Sequence, residues 1–160
     1  HNHRLSVRRG LRDGVYVGQA VIDDQGVIGQ VTKVMPLNSM IVLITDPAHA
    51  LPVQVERNGL RTVVSGTGNV SLLRVPYLNQ NSDIIVGDVL LSSGMGGRFP
   101  KGYPVAIVSA VKVIEDEAFI RVTAEPIAKL NRSNHVLLLS RELQNKDKND
   151  VEKSISEGSP

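Results

Sequence analysis

The feature that most constrains the fold of this chain is the alternation of apolar and polar residues in many short segments. In the stretch Val53-Gln54-Val55-Glu56 the two valines fall on one side of an extended backbone and the polar residues on the other. A period of two is typical of a strand with one buried face, whereas no segment carries the sustained period of a helix with an apolar stripe. The pattern predicts an all-β protein.

About a dozen such segments are expected to form strands in a barrel or sandwich architecture. The predicted strands are residues 5–9, 19–22, 27–34, 41–44, 51–56, 60–64, 71–75, 89–91, 105–114, 119–124 and 136–139. The 14 glycines and 8 prolines supply the turns that short strands need. Asn58-Gly59 predicts a hairpin between two of these strands, because both residues tolerate positive φ, and type I′ is one of the turn types that stay open for it.

A polar break at residues 76–82 predicts a division into two small β-barrel domains, residues 4–75 and residues 76–140. The division leaves open that a late strand returns to the first unit. Residues 141–160 carry four basic and five acidic residues and few apolar ones. We expect this segment to be a polar, mobile C-terminal tail, with a charged helix held by a neighbour as the alternative.

Composition excludes several classes of function. A net charge of +2 with scattered basic residues does not predict the concentrated basic surface that binds nucleic acid. The absence of cysteine excludes disulfides and thiolate metal sites, and His49 and His135 lack neighbouring ligands, so no metal and no cofactor are expected. No apolar run approaches the ~20 residues that span a bilayer. Because the chain begins with His1, we expect it to be part of a longer protein.

The strongest enzymatic hypothesis is a serine hydrolase. His49, Asp88 and Ser93 occur in the order of a chymotrypsin-like triad, and Ser93 precedes a run of glycines. Three such residues in some order are expected by chance in most chains of this length, and the surroundings of Ser93 match no nucleophile motif beyond the glycines. The sequence therefore predicts no catalytic residues and a protein that is not an enzyme.

The loop between residues 94 and 102 is the candidate interaction surface, because its glycines let the backbone approach another chain closely. Its candidate residues are Gly94, Met95, Gly96, Gly97, Arg98, Phe99 and Gly102. Arg98 and Phe99 are residue types enriched at interface hot spots. Phe99 has two interpretations, an exposed anchor or a plug in the open end of the second barrel, and with two phenylalanines in the chain we favour the core role.

Four glycine-rich stretches together resemble the MreC family. They are GVYVGQAVI at residues 14–22, GVIGQV at 26–31, LITDPAHALPV at 43–53 and GDVLLSSGMGGRFPKGYPVA at 87–106. The resemblance runs in order from about residue 10 to residue 139. Small departures, such as Ser92 and Met95 where the family commonly has threonine and leucine, leave the resemblance intact.

The resemblance implies two small β-barrels at the periplasmic face of the cytoplasmic membrane, the soluble part of a membrane-anchored protein. It implies a non-catalytic scaffold of the wall-elongation machinery that maintains rod cell shape. The implied partners are a second copy of the protein, the elongation-specific penicillin-binding protein, and the MreD, RodA and MreB complex. Two alternatives stay open: a degenerate trypsin-like β-barrel hydrolase and a peptidoglycan-binding module.

Overall fold

A computed structural model describes residues 3–97, 99–130 and 135–140 of the chain. In this part of the chain the regular secondary structure consists of β-strands and one short 3-10 helix at Leu11–Asp13. The strands are β1 (Arg4–Val7), β2 (Ala20–Ile22), β3 (Val27–Val34), β4 (Ser39–Leu43), β5 (Ala50–Val55), β6 (Arg61–Asn69), β7 (Leu72–Arg74), β8 (Val89–Ser92), β9 (Pro104–Lys112), β10 (Arg121–Pro126) and β11 (Leu137–Leu138). The all-β class and each predicted strand are confirmed.

The strands form two sheets of different kinds. One is an open five-stranded sheet with the order β1-β4-β3-β2-β11, and the other is a closed barrel with the order β10-β7-β6-β5-β8-β9. One of the two units is thus a curled open sheet rather than a barrel, and the closed barrel takes strands from both predicted domains. All neighbouring strands in both sheets pair antiparallel.

The division between the sheets differs from the expected boundary between residues 75 and 76. It falls between β4 and β5, because β5 pairs with β6 on one side and with β8 on the other. The polar break at residues 76–82 is a loop between β7 and β8 inside the barrel unit. A polar break in the sequence shows where a strand ends. Which sheet that strand belongs to depends on the strands with which it pairs. Residues 141–160, expected to form a tail, lie outside the described residues.

The late strand β11 returns to the first sheet, where Leu137 is opposite Ile22 and Leu138 opposite Val21. The two sheets also share one cluster of buried aliphatic side chains. Two glycines permit the sheets to approach: a Cβ at Gly26 would clash with the carbonyl of Pro104, and one at Gly66 with the carbonyl of Asp46. The position of the barrel relative to the open sheet is therefore fixed by packing of backbone against backbone.

The predicted hairpin at Asn58-Gly59 connects β5 and β6, but the turn is not type I′. Gly59 has a φ of 74°, whereas Tyr77 and Asp116 are the residues other than glycine with positive φ in the described part of the chain. A type I′ turn needs positive φ at both central residues. Instead, the Gly59 N–H donates to the Val55 carbonyl at 2.7 Å and the Val55 N–H to the Leu60 carbonyl at 2.8 Å, which closes a four-residue loop.

Candidate interaction surfaces

The predicted interaction loop connects β8 to β9 and is anchored by Ser92. The Ser92 hydroxyl donates to the Pro100 carbonyl at 2.6 Å and accepts the Tyr103 N–H at 2.9 Å. The Gly102 N–H donates to the Ser92 carbonyl at 2.8 Å. Ser92 is fully buried, so the two ends of the loop are held together from inside the barrel.

The glycines of this loop are required by its own path. Gly94, Gly96, Gly97 and Gly102 all have positive φ, a region that other residues enter at a cost. At Gly94 a Cβ would also lie 3.1 Å from the Cβ of Lys101. A tight bend within the chain therefore explains these glycines without a partner.

Phe99 is buried in the core cluster, which confirms the favoured interpretation of this residue. Met95 is exposed and offers apolar surface at the tip of the loop. Arg98, the proposed charged contact, lies outside the described residues. The use of this loop for binding stays a prediction.

The three residues of the hydrolase hypothesis each have a different partner. His49 Nε2 bonds Gln30 Oε1 at 2.8 Å, the Asp88 carboxylate accepts two bonds from Arg57, and Ser93 Oγ accepts the Met95 N–H at 3.2 Å. A catalytic triad needs its base hydrogen-bonded to the nucleophile and to the orienting carboxylate. The structure shows neither bond among these described residues.

His49 lies where the two sheets meet, just before β5, and its ring reaches β3. Gln30 Nε2 donates to the Gly18 carbonyl at 3.2 Å, which leaves Oε1 to accept the His49 Nε2 proton. His49 Nδ1 is buried with no hydrogen-bond partner in the described part of the chain. Burial lowers the pKa of His49 to about 4, against a smaller opposing effect of Asp46. The neutral ring is therefore a structural link between the sheets.

Arg57 fixes the tip of the β5–β6 hairpin to the segment before β8. Its guanidinium donates to Asp83 Oδ1 at 2.8 Å and to Asp88 Oδ1 at 2.9 Å, and the Asn58 amide donates to the Asp83 carbonyl at 2.8 Å. These hydrogen bonds hold the pKa values of both carboxyls below their usual range. Asp88 is thus a structural carboxylate, which explains its burial.

The most exposed aromatic surface lies at two residues that are not among those predicted to bind a partner. Tyr77 is 76% exposed and Phe119 is 48% exposed. Their rings meet edge to face with centroids 5.8 Å apart. The Ile120 N–H donates to the Leu78 carbonyl at 2.8 Å, which holds the two segments side by side. We call Tyr77 and Phe119 the aromatic pair.

The aromatic pair is held by a strained backbone beside an acidic loop. Tyr77 has a φ of 67°, a conformation that costs about 1–3 kcal/mol for a residue other than glycine. Glu115, Asp116 and Glu117 lie exposed on the β9–β10 connection that leads to Phe119. The sequence does indicate that Phe119 is exposed. Successive side chains in a strand point to opposite faces, so if Ile120 is buried its neighbour Phe119 points outward.

The described residues contain no group of three or more His, Cys, Asp or Glu side chains that could hold a metal ion. In the same residues no helix is long and apolar enough to cross a membrane.

Comparison with known proteins shows the family to which this chain belongs. The family model described as "Rod shape-determining protein MreC, barrel core" matches residues 1–140. The chain belongs to the MreC family. The MreC of Escherichia coli K12, a cell shape-determining protein, is 48% identical over 139 residues, which cover 87% of this chain and 38% of the relative. The MreC of Haemophilus influenzae is 45% identical over 139 residues, which cover 87% of this chain and 40% of the relative.

Solved MreC structures share the fold. The crystal structure of MreC from Pseudomonas aeruginosa has a TM-score of 0.83 and 48% identity, and the match covers 86% of this chain and 89% of that one. A structure described as the major periplasmic domain of the filament MreC has a TM-score of 0.65 and 26% identity, with 78% of each chain covered. The complex of PBP2 and MreC from Helicobacter pylori has a TM-score of 0.61 and 18% identity, and the match covers 90% of this chain and 83% of that one.

The chain spans about two fifths of the length of its curated MreC relatives. What the structure describes is therefore the barrel core that the family model names, and this family determines cell shape.

Proposed function

We propose that this chain is the periplasmic, non-catalytic binding part of a scaffold for cell-wall elongation, and that it maintains rod shape by holding wall-synthesis proteins together. The observation that carries the proposal is the match to the MreC barrel core over residues 1–140. The separate hydrogen-bond partners of His49, Asp88 and Ser93 support a binding role over a hydrolase.

The partner that we propose is the elongation-specific penicillin-binding protein. A relative with the same fold, the MreC of Helicobacter pylori, was solved in complex with PBP2. The aromatic pair is our proposed anchor for this partner. A chain with three tyrosines, two phenylalanines and no tryptophan exposes two of these five rings together, and exposed aromatic side chains are enriched at binding hot spots.

The strain at Tyr77 supports this choice. A residue other than glycine keeps a positive φ only where the surrounding structure holds it there, and such residues cluster at functional sites. Glu117 of the neighbouring connection already pairs with Arg121 at 2.6 Å. The exposed Glu115 and Asp116 on the same connection favour a partner surface with basic residues at its rim. The Gly94–Gly102 loop, with exposed Met95, is the second surface that we propose.

The wider assembly is part of the same proposal. Self-association is supported by the description of a solved relative as a filament. We further propose that the full-length protein is anchored at the periplasmic face of the cytoplasmic membrane and works with MreD, RodA and MreB.

Capture of the purified penicillin-binding protein by the immobilised chain tests the proposal. The double variant Tyr77→Gly/Phe119→Ser removes both rings and relieves the strain at residue 77, so we expect at least tenfold weaker capture and an unlowered melting temperature. The matched control is Leu11→Ser/Leu37→Ser, which removes two exposed apolar side chains from the 3-10 turn and from the connection between β3 and β4, and it should leave capture unchanged.

Full capture by the aromatic-pair variant would overturn the assignment of this surface. No capture by the unaltered chain would overturn the choice of partner. The peptidoglycan-binding alternative predicts instead that soluble wall fragments bind the unaltered chain and that the double variant loses them, because sugar rings stack on exposed aromatic side chains.

A further inference from the structure

Strand β1 is an edge of the open sheet and carries backbone groups that its own sheet does not use. It pairs with β4 on one side, and among the described residues no strand pairs with its other side. In an antiparallel ladder, residues that bond across alternate with residues that direct both backbone groups outward. The Leu43 N–H donates to the His3 carbonyl at 2.8 Å, which makes this pair a bonded one. By this alternation the outward residues of β1 are Arg4 and Ser6.

The side chains of β1 differ between its two faces. Arg4 and Ser6 are exposed on one face, whereas Leu5 and Val7 are half-buried on the other and pack against the core cluster. Residues directly opposite one another on neighbouring strands share a face and contact each other. A strand added to this edge would therefore need apolar side chains opposite Leu5 and Val7, and a polar or charged face opposite Arg4 and Ser6.

The exposed face of this edge is basic. Arg4 Nε lies 3.8 Å from Asp46 Oδ2, and the Arg4 side chain is still 52% exposed. Arg8 follows β1 directly, is exposed, and has no ion pair with any carboxylate of the described residues. The next residue, Arg9, is 3.9 Å from Asp13. An incoming strand thus meets a guanidinium group at each end of β1, which favours acidic residues at its own two ends.

We propose that β1 binds an extended segment of another protein, which adds to this edge as an antiparallel strand and has the pattern acidic-apolar-polar-apolar-acidic. The two acidic residues meet Arg8 and Arg4, and the two apolar residues meet Val7 and Leu5. The antiparallel direction is favoured because antiparallel pairs are more stable per residue than parallel ones. This inference goes beyond the proposed function, since it concerns the open sheet and needs no contact with the aromatic pair.

A second copy of this chain does not match this edge. If two β1 strands paired antiparallel about Ser6, each Arg4 would lie opposite the Arg8 of the other copy, and like charges directly opposite destabilise a strand pair. The other strand with one unpaired side in the described part of the chain is β11, whose two residues are leucines. Charge therefore favours a different protein as the partner.

The C-terminal segment of this chain does not have the required pattern either. Arg4 and Arg8 are four positions apart, so the acidic residues of the partner strand need the same spacing. None of the acidic residues in residues 141–160 lies four positions from another; they are Glu142, Asp147, Asp150, Glu152 and Glu157. This too favours another protein as the source of the strand.

A nuclear magnetic resonance titration of the whole chain with the peptide acetyl-SEVTVES-amide tests the proposal. We expect saturable shifts of the Arg4 and Ser6 amides and cross-strand contacts between the peptide and β1. The matched control peptide is acetyl-SVETEVS-amide, which has the same composition and charge but turns its acidic residues towards Leu5 and Val7. We expect it to bind at least tenfold more weakly.

N-methylated peptides test whether the contact is made by the backbone. The threonine of acetyl-SEVTVES-amide lies opposite Ser6, so its N–H donates to β1, whereas the N–H of the following valine faces away. N-methylation of the threonine should therefore weaken binding at least tenfold. N-methylation of that valine should weaken binding by less than about threefold, because no bond to β1 is lost.

A charge exchange tests the direction of the added strand. Arg8→Glu should weaken binding of acetyl-SEVTVES-amide at least tenfold, and acetyl-SKVTVES-amide should restore the binding, because its lysine lies nearest residue 8 in an antiparallel pair. The reversed peptide acetyl-SEVTVKS-amide should not restore it, since its lysine meets Arg4. The matched control Arg61→Glu makes the same change of charge at an exposed position of the barrel and should leave binding unchanged.

Several results would overturn the proposal. With millimolar peptide, the absence of shifts at Arg4 and Ser6 would show that the arginines only protect the edge from aggregation. Equal binding of acetyl-SVETEVS-amide would show attraction between charges without strand pairing. Contacts between the β1 amides and residues 141–160 in the free protein would show that the occupant is this chain itself.

Discussion

The open sheet and the closed barrel differ in how completely each satisfies its own backbone. Every barrel strand pairs on both sides, whereas β1 and β11 each have a strand partner on one side only among the described residues. The barrel exposes apolar side chains on its loops, including Tyr77, Met95 and Phe119, and on β9 at Ile107. The open sheet instead exposes strand edges, and a cleft lined by both polar and apolar residues lies beside β11. The two units thus differ in what they expose: the closed barrel exposes side chains, and the open sheet exposes backbone edges as well.

Because of this difference, we expect large-to-small substitutions in the barrel core to lower the free energy of unfolding more than substitutions at the edge of the open sheet. Leu90 is fully buried in β8, and Leu90→Ala is expected to lower the free energy of unfolding by about 2–5 kcal/mol, because the cavity cannot collapse in a closed barrel. Leu137→Ala, at an exposed edge position, should cost less than about 0.5 kcal/mol. Urea denaturation measures both. Equal effects of the two variants would remove the distinction between the units.

Because His49 lies at the junction between the two units, we expect the free energy of unfolding to decrease in acid. His49 has a folded pKa of about 4 and an unfolded value near 6.5, so the unfolded state binds more protons between these values. The stability from the neutral ring is complete above pH 6.5 and is lost as the pH falls towards 4, by up to about 3 kcal/mol.

Melts of the chain and of His49→Gln between pH 7 and pH 4 measure this loss. The melting temperature of His49→Gln should not show this decrease between pH 7 and pH 4. The lowered pKa values of Asp83 and Asp88 place their contribution below about pH 4, so they do not interfere. The same slope in both proteins would show that His49 is not the group that links the sheets.

The hairpin between β5 and β6 predicts a smaller loss within the barrel. A Cβ at Gly59 meets no atom within 4 Å, so Gly59→Val costs only the strain of a β-branched residue at φ 74°, about 1–3 kcal/mol. Gly59→Asn should cost less, because asparagine tolerates this region of φ. Thermal melts compare the two variants, and an unlowered melting temperature of Gly59→Val would contradict the loop geometry.

The smallest expected effect is at Ser93. Its hydroxyl accepts one 3.2 Å bond from the Met95 N–H, so Ser93→Ala should change the free energy of unfolding by about 1 kcal/mol or less. Ester hydrolysis by the chain and by the variant provides the functional readout. A hydrolytic rate that disappears with Ser93→Ala would revive the hydrolase hypothesis.

Local sequence patterns predict the positions of the strands, but they do not predict which strands pair or which distant segments meet. The alternation at residues 53–56 identifies β5, but nothing near it in sequence indicates that β5 pairs with β8. Likewise Asn58-Gly59 predicts a hairpin, while the turn is held by contacts with Asp83, 25 residues beyond Asn58. Pairings between distant segments depend on the whole core, which a single sequence read locally does not contain.

The two phenylalanines show the same limit for the candidate site. The glycines around Phe99 make it a candidate for a binding loop, and the structure buries it in the core. The sequence pattern predicts Phe119 only as a strand residue, and in the structure it is the exposed ring that meets Tyr77. The outward direction of Phe119 was readable from the alternation, but its contact with Tyr77 joins residues 42 positions apart and required the fold.

Hydrogen exchange of the chain, alone and with the elongation-specific penicillin-binding protein, tests the binding role most directly. We predict slower exchange on binding at the amides around Tyr77 and Phe119, while the amides of Ser6 and Leu138, which belong to the other sheet, keep their rates. Unchanged exchange around both aromatic residues in a complex that forms, or no complex at all, would contradict the assignment of this surface as the anchor of the scaffold.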